Sequence, residues 1–143
     1  MNHATKPGLA IVISLIAAAA PARADECKHV DLAVKNNKIV EIKALSMDYL
    51  FSNDNQWRNE GFTNVIVGEG AFRTVAFDQN LAGGEGNQLL SLRLHFKAHC
   101  TSGWTGELLS VEDTDFDDTS DCVSFSGRSY RLDLPSSDVC NGL

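Results

Sequence analysis

Hydrophobic and polar residues alternate along most of this chain, and the alternation marks strands. In the longest run, Leu90, Leu92, Leu94, Phe96, Ala98 and Cys100 fall on one side and Ser91, Arg93, His95, Lys97 and His99 on the other. A period of two is the side-chain period of a half-buried strand. Shorter runs repeat it. Val30, Leu32 and Val34 alternate with Asp31, Ala33 and Lys35, and Asn36-Asn37 offers a turn because asparagine tolerates positive φ. Lys38 to Ser46, Thr63 to Val67, Phe72 to Phe77, Leu108 to Val111, Val123 to Phe125 and Ser129 to Leu134 read as further strands. Asp48 to Gly61, Asp78 to Gln88 and Glu112 to Asp121 read as loops, and both tryptophans, Trp57 and Trp104, fall in predicted loops. The expectation is an all-β domain: a single small antiparallel β-sandwich or barrel of about 7–8 strands.

One stretch departs from the pattern. Lys6 precedes an apolar block from Leu9 to Ala20, followed by Pro21 and Ala22-Arg23-Ala24. A charged start, a short apolar core and an A-x-A ending predict a secretory signal peptide, residues 1–24, cleaved after Ala24. The apolar block falls well short of the roughly 20 residues a membrane-spanning helix needs, so no span is expected in the mature protein. Residues 25–143 then form a single exported β-domain, secreted or periplasmic, large enough for one core. Cys27, Cys100, Cys122 and Cys140 all lie in that domain. An even cysteine count behind an export signal predicts two disulfides, each contributing about 2–4 kcal/mol. Three pairings are open. A zinc site is not expected, because no C-x-x-C pair occurs.

Export also changes the charge. The chain carries 12 Lys and Arg against 19 Asp and Glu, a net charge of −7. Loss of Lys6 and Arg23 leaves ten bases against the same acids, a net charge of −9. Such a surface repels nucleic acid and anionic headgroups, which excludes nucleic acid as a partner.

Candidate chemistry is sparse. His95 and His99 form H-x-x-x-H, but on a strand that spacing separates the two by about 13 Å, too far for one metal ion. The polar side of their strand, with Arg93, His95, Lys97 and His99, is a basic stripe on an acidic protein. It either receives an anion or acidic partner or pairs with acids on adjacent strands. Trp57 and Trp104 either anchor a partner or stack on a sugar, or cap the core. Asp113, Asp115, Asp117 and Asp121 match the alternate oxygen ligands of a calcium loop. Asp118 stands where that loop has its turn glycine, and Ser124 where it has its bidentate glutamate. No other cofactor is expected. No G-x-S-x-G, H-E-x-x-H, phosphate-binding loop or C-x-x-C occurs, so the chain is not expected to be an enzyme. A triad of His95 or His99 with Ser102 and a loop aspartate would have to assemble in space.

The stretch Ser124-Phe125-Ser126-Gly127-Arg128-Ser129-Tyr130 resembles the S-x-S-G-x-x-Y signature of periplasmic inhibitors of c-type lysozyme. The resemblance covers seven residues, and no W-x-K-G-like segment follows Tyr130. It implies a small exported disulfide-bonded β-barrel whose signature loop, with Ser126 and Tyr130, enters a lysozyme cleft. Taken together, the sequence predicts an exported, non-catalytic β-domain with a protein or glycan partner, serving in binding or structure. The alternatives are a lysozyme inhibitor and a calcium-dependent binding module.

Overall fold

The computed structural model describes residues 26–53, 55–115, 121–122 and 127–141. Eight strands run through them: β1 (Glu26–Asn36), β2 (Ile42–Phe51), β3 (Trp57–Val67), β4 (Phe72–Ala82), β5 (Leu89–Cys100), β6 (Gly103–Trp104), β7 (Leu108–Leu109) and β8 (Arg128–Leu134). The larger sheet has the order β3-β2-β5-β6, with β7 also paired to β5; the smaller has the order β4-β1-β8. The pairings are antiparallel except that of β1 with β8, which is parallel. This is the small disulfide-stabilised all-β architecture that the period-two pattern predicts. No helix among the described residues is long and apolar enough to cross a membrane.

The two sheets enclose one core. The smaller contributes Val30, Leu32, Val34, Tyr130, Leu132 and Leu134; the larger contributes Ile42, Met47, Tyr49, Phe51, Leu92, Leu94 and Phe96. Full burial of a side chain of this size is worth about 1.5–3 kcal/mol, so this interior dominates the stability. Tyr130 is 1 % exposed. It points inward because Tyr130, Leu132 and Leu134 occupy the buried alternate positions of β8, which removes it from any partner contact. Ser124–Ser126 lie outside the described residues.

Several boundaries differ from expectation, and bulges explain them. The polar stretch Asp48 to Gly61 is not a loop. β2 continues to Phe51 and β3 opens at Trp57, so the pair forms a hairpin. Irregular register between Ala44 and Ser46 on both neighbours of β2, and a left-handed Asn64 at φ 43° in β3, break the period that marks a strand in sequence. β4 likewise runs to Ala82 through a left-handed Asp78 at φ 53°. At the start of β5, Ser91 pairs with Leu50 but Leu89 pairs with Phe51. The extra residue, Leu90, turns outward and is 40 % exposed, whereas Ser91 is buried.

The cysteines pair as Cys27–Cys122 and Cys100–Cys140. The first bridge packs against Gly84, where a Cβ would come within 2.4 Å of Cys27 and 2.5 Å of Phe51. The glycine run at 83–86 thus serves close packing. Asn36 is fully buried at the end of β1 rather than exposed in a hairpin turn. Its amide donates to the carbonyls of Val40, Val67 and Gly68 and so fastens β1 to the larger sheet.

Candidate binding face

Outward-facing positions of the larger sheet bring together most of the residues singled out above. Phe96 and Ala98 point into the core, so Arg93, His95, Lys97 and His99 point out. Register extends this face across the sheet: Arg93 stands beside Asp48, Asp48 beside Asn59, Leu50 beside Trp57, and His99 beside Trp104. Trp57 and Trp104 therefore begin β3 and end β6, on strands rather than in loops. Neither caps the core. The Arg93 guanidinium covers the Trp57 ring at 3.7 Å, and His99 stacks on Trp104 with centroids 4.7 Å apart and planes 18° apart.

The centre of the face is a fixed network. Asp48 accepts hydrogen bonds from Asn59 at 2.8 Å, Arg93 at 3.0 Å and His95 Nε2 at 3.0 Å. His95 Nδ1 lies 2.7 Å from Glu107, in the segment between β6 and β7. Both imidazole nitrogens meet carboxylates, which only accept when ionised, so the arrangement favours the doubly protonated ring. Burial alone would lower the pKa of His95. The hydrogen bonds and negative charges of Asp48 and Glu107 outweigh it and hold the pKa above the usual histidine value. Burial alone would raise the pKa of Asp48, but its bonds from Asn59 and His95 and the charges of His95 and Arg93 leave it below the usual value. His99 sits 3.9 Å from Glu41. The basic stripe is thus in large part interleaved with acids from its neighbours.

Asp48, Glu107 and Glu41 carry half of this network, and the sequence reading missed them. A single-strand pattern shows which residues share a face but not what stands opposite. The available signal was the alternation Met47-Asp48-Tyr49, which places Asp48 outward. Among the described residues His95 has no hydrogen bond to a serine: its nitrogens meet carboxylates, and cross-strand Ser46 accepts from Asn59. The possible triad is therefore not assembled at His95.

The calcium candidates behave differently. Asp113 bridges Leu92 of the larger sheet through its backbone, while its carboxylate accepts from the backbone N–H groups of Asp115 and of Asp133 in β8. It links the two sheets. Asp115 and Asp121 are exposed, and Asp117 lies outside the described residues. Among the described residues, no three or more His, Cys, Asp or Glu side chains are arranged to hold a metal ion. Comparison with protein-family models, with curated proteins and with solved structures finds no match to the chain.

Proposed function

We propose that this chain is exported through residues 1–24, cleaved near Ala24, and works in the periplasm or outside the cell as a non-catalytic binding domain. Its contact surface is the outer face of the larger sheet. Two disulfides with no free cysteine among the described residues fit an oxidising compartment. The observation that carries the reading is the gathering of Trp57, Arg93, His95, Lys97, His99 and Trp104 on one face, where Arg93 and His95 are held by Asp48 and Glu107, and the two tryptophans are covered by Arg93 and His99. Preorganised aromatic and cationic side chains lower the ordering cost of binding. Binding is favoured over catalysis at His95 because both of its ring nitrogens are already engaged, by Asp48 and by Glu107, and neither is free to meet a substrate. The partner is a protein or a glycan, since the net charge disfavours nucleic acid.

An array of soluble glycans and extracellular proteins tests the reading, probed with the exported protein and with a Trp57→Ala/Arg93→Ala/Trp104→Ala variant. Ligands retained by the first and released by the second support it. Ligands retained equally by both, with both variants folded by circular dichroism, refute it.

A further inference from the structure

Within this face one spot is left unneutralised. Lys43 on β2 and Lys97 on β5 are direct cross-strand partners. Directly opposed residues on an antiparallel pair stand about 5 Å apart at Cβ, and like charges there repel. Acids outnumber bases in this chain, and three other basic residues of the face have carboxylate neighbours: Arg93, His95 and His99. Lys43 and Lys97 have none within ion-pair distance among the described residues. The Lys43 ammonium instead rests over the Trp104 ring, 4.4 Å from its centroid. An exposed cation–π contact is worth only about 0.5–1 kcal/mol, so an anion competes for that ammonium readily.

Building on the reading of this face as a contact surface, we infer that Lys43 and Lys97 together hold a carboxylate of an acidic polysaccharide. The polysaccharide binds through a uronic-acid unit whose ring lies against Trp104. Two features join in that ligand. The paired ammonium groups demand a negative charge. Trp104, 37 % exposed, offers an indole beside it, and the movement of Lys43 toward the anion frees that ring for the apolar C–H face of a sugar. An acidic peptide meets the first demand alone. The lysine pair is retained at a cost to the fold, and ligand binding relieves it.

Titration calorimetry of the exported protein with hexagalacturonate, neutral maltohexaose and hexaglutamate tests this. Hexagalacturonate is expected to bind, to quench tryptophan emission through Trp104, and to weaken with added salt. Lys43→Gln and Lys97→Gln are each expected to weaken it about ten-fold. Trp104→Phe should remove the quenching. Lys97→Gln should melt no lower than the parent, because it removes repulsion, which a structural lysine would not show. Absence of hexagalacturonate binding, or equal binding of hexaglutamate or maltohexaose, overturns the inference. Hexagalacturonate binding that survives both lysine changes but is lost in Arg93→Ala also overturns it while leaving the face reading intact. Binding that survives all three changes overturns both.

Discussion

The two ends of the sandwich are closed in different ways. At the end where β5 begins, Cys27 and Cys122 are fully buried, Phe51 and Gly84 press against their bridge, and the backbone of Cys122 bonds to Gly86 and Asn87. At the end where β5 finishes, Cys100 and Cys140 are only partly buried. There Lys38 holds the chain at Pro135 and Ser137 through three hydrogen bonds of 3.0–3.2 Å. A groove of about 280 Å³, lined by Lys38, Phe96, Leu108, Leu109, Val111 and Val139, stays open there. One end is closed by packing and the other by polar ties over an unfilled space. Packed closure tolerates little change; polar closure can open without loss of the core.

Removal of each disulfide is the strongest test of that contrast. The bridges close loops of 95 and 40 residues. Loop entropy alone predicts losses of about 4.7 and about 3.9 kcal/mol. The Cys27/Cys122→Ala pair also leaves a buried void, so its deficit should exceed that of Cys100/Cys140→Ala by more than the roughly 0.8 kcal/mol that loop length explains. Urea denaturation of both variants measures the difference. Equal losses, or a larger loss at Cys100–Cys140, would show that the packed end is not the more tightly closed.

Gly84→Ala asks the same question without touching a covalent bond. Its methyl would collide with Cys27 and Phe51, neither of which has room to retreat. Overpacking of this kind costs on the order of 3 kcal/mol. A melting temperature within a degree or two of the parent would mean that the glycine loop moves aside and that this end is looser than its contacts indicate.

How much of this was legible in the sequence depended on whether one strand or two supplied the signal. β5 could be read because its alternation is long, and only the bulge at Leu90 disturbs it. The hairpin from Asp48 to Gly61 could not, because its outward positions are polar and the irregular register at Ser46 breaks the period. The outward direction of Arg93, His95, Lys97 and His99 followed from β5 alone. Their acids, and Lys43 opposite Lys97, come from neighbouring strands, whose register no single segment specifies. The disulfide pairing and the burial of Lys38 are likewise products of tertiary packing, and composition carries no trace of either.

Between the two ends lies the Asp48–His95–Glu107 network, whose contribution should follow pH. His95 is held above its ordinary value of 6.5, so its stabilisation is complete below that pH and is lost as pH rises through the raised value. Asp48 is held below its ordinary value of 3.8, so its stabilisation is present above that pH and is lost as pH falls through the depressed value. The network is therefore strongest at about pH 4–6.5. His95→Gln should lower unfolding free energy there by on the order of 1–2 kcal/mol, with the gap to the parent closing as pH rises through the raised value. A gap independent of pH would assign His95 a packing role instead.

The smallest effect is expected at Lys38, where it is the most informative about the open end. Lys38 is 3 % exposed, and burial lowers its pKa from 10.5. A lysine with a depressed folded pKa favours the unfolded state while charged, so the parent should gain stability as pH rises from that pKa toward 10.5. Lys38→Met keeps an apolar stem beside Phe96 and removes the charge, so this gain should vanish. The oxygens it abandons belong to exposed residues, Pro135 and Ser137, and turn to water. Global stability should therefore change by only about 1 kcal/mol, while amide exchange at Val139 and Cys140 quickens as the strap loses its tie. If Lys38→Met instead unfolds the domain, this end is closed as firmly as the other, and the contrast between packed and polar closure fails.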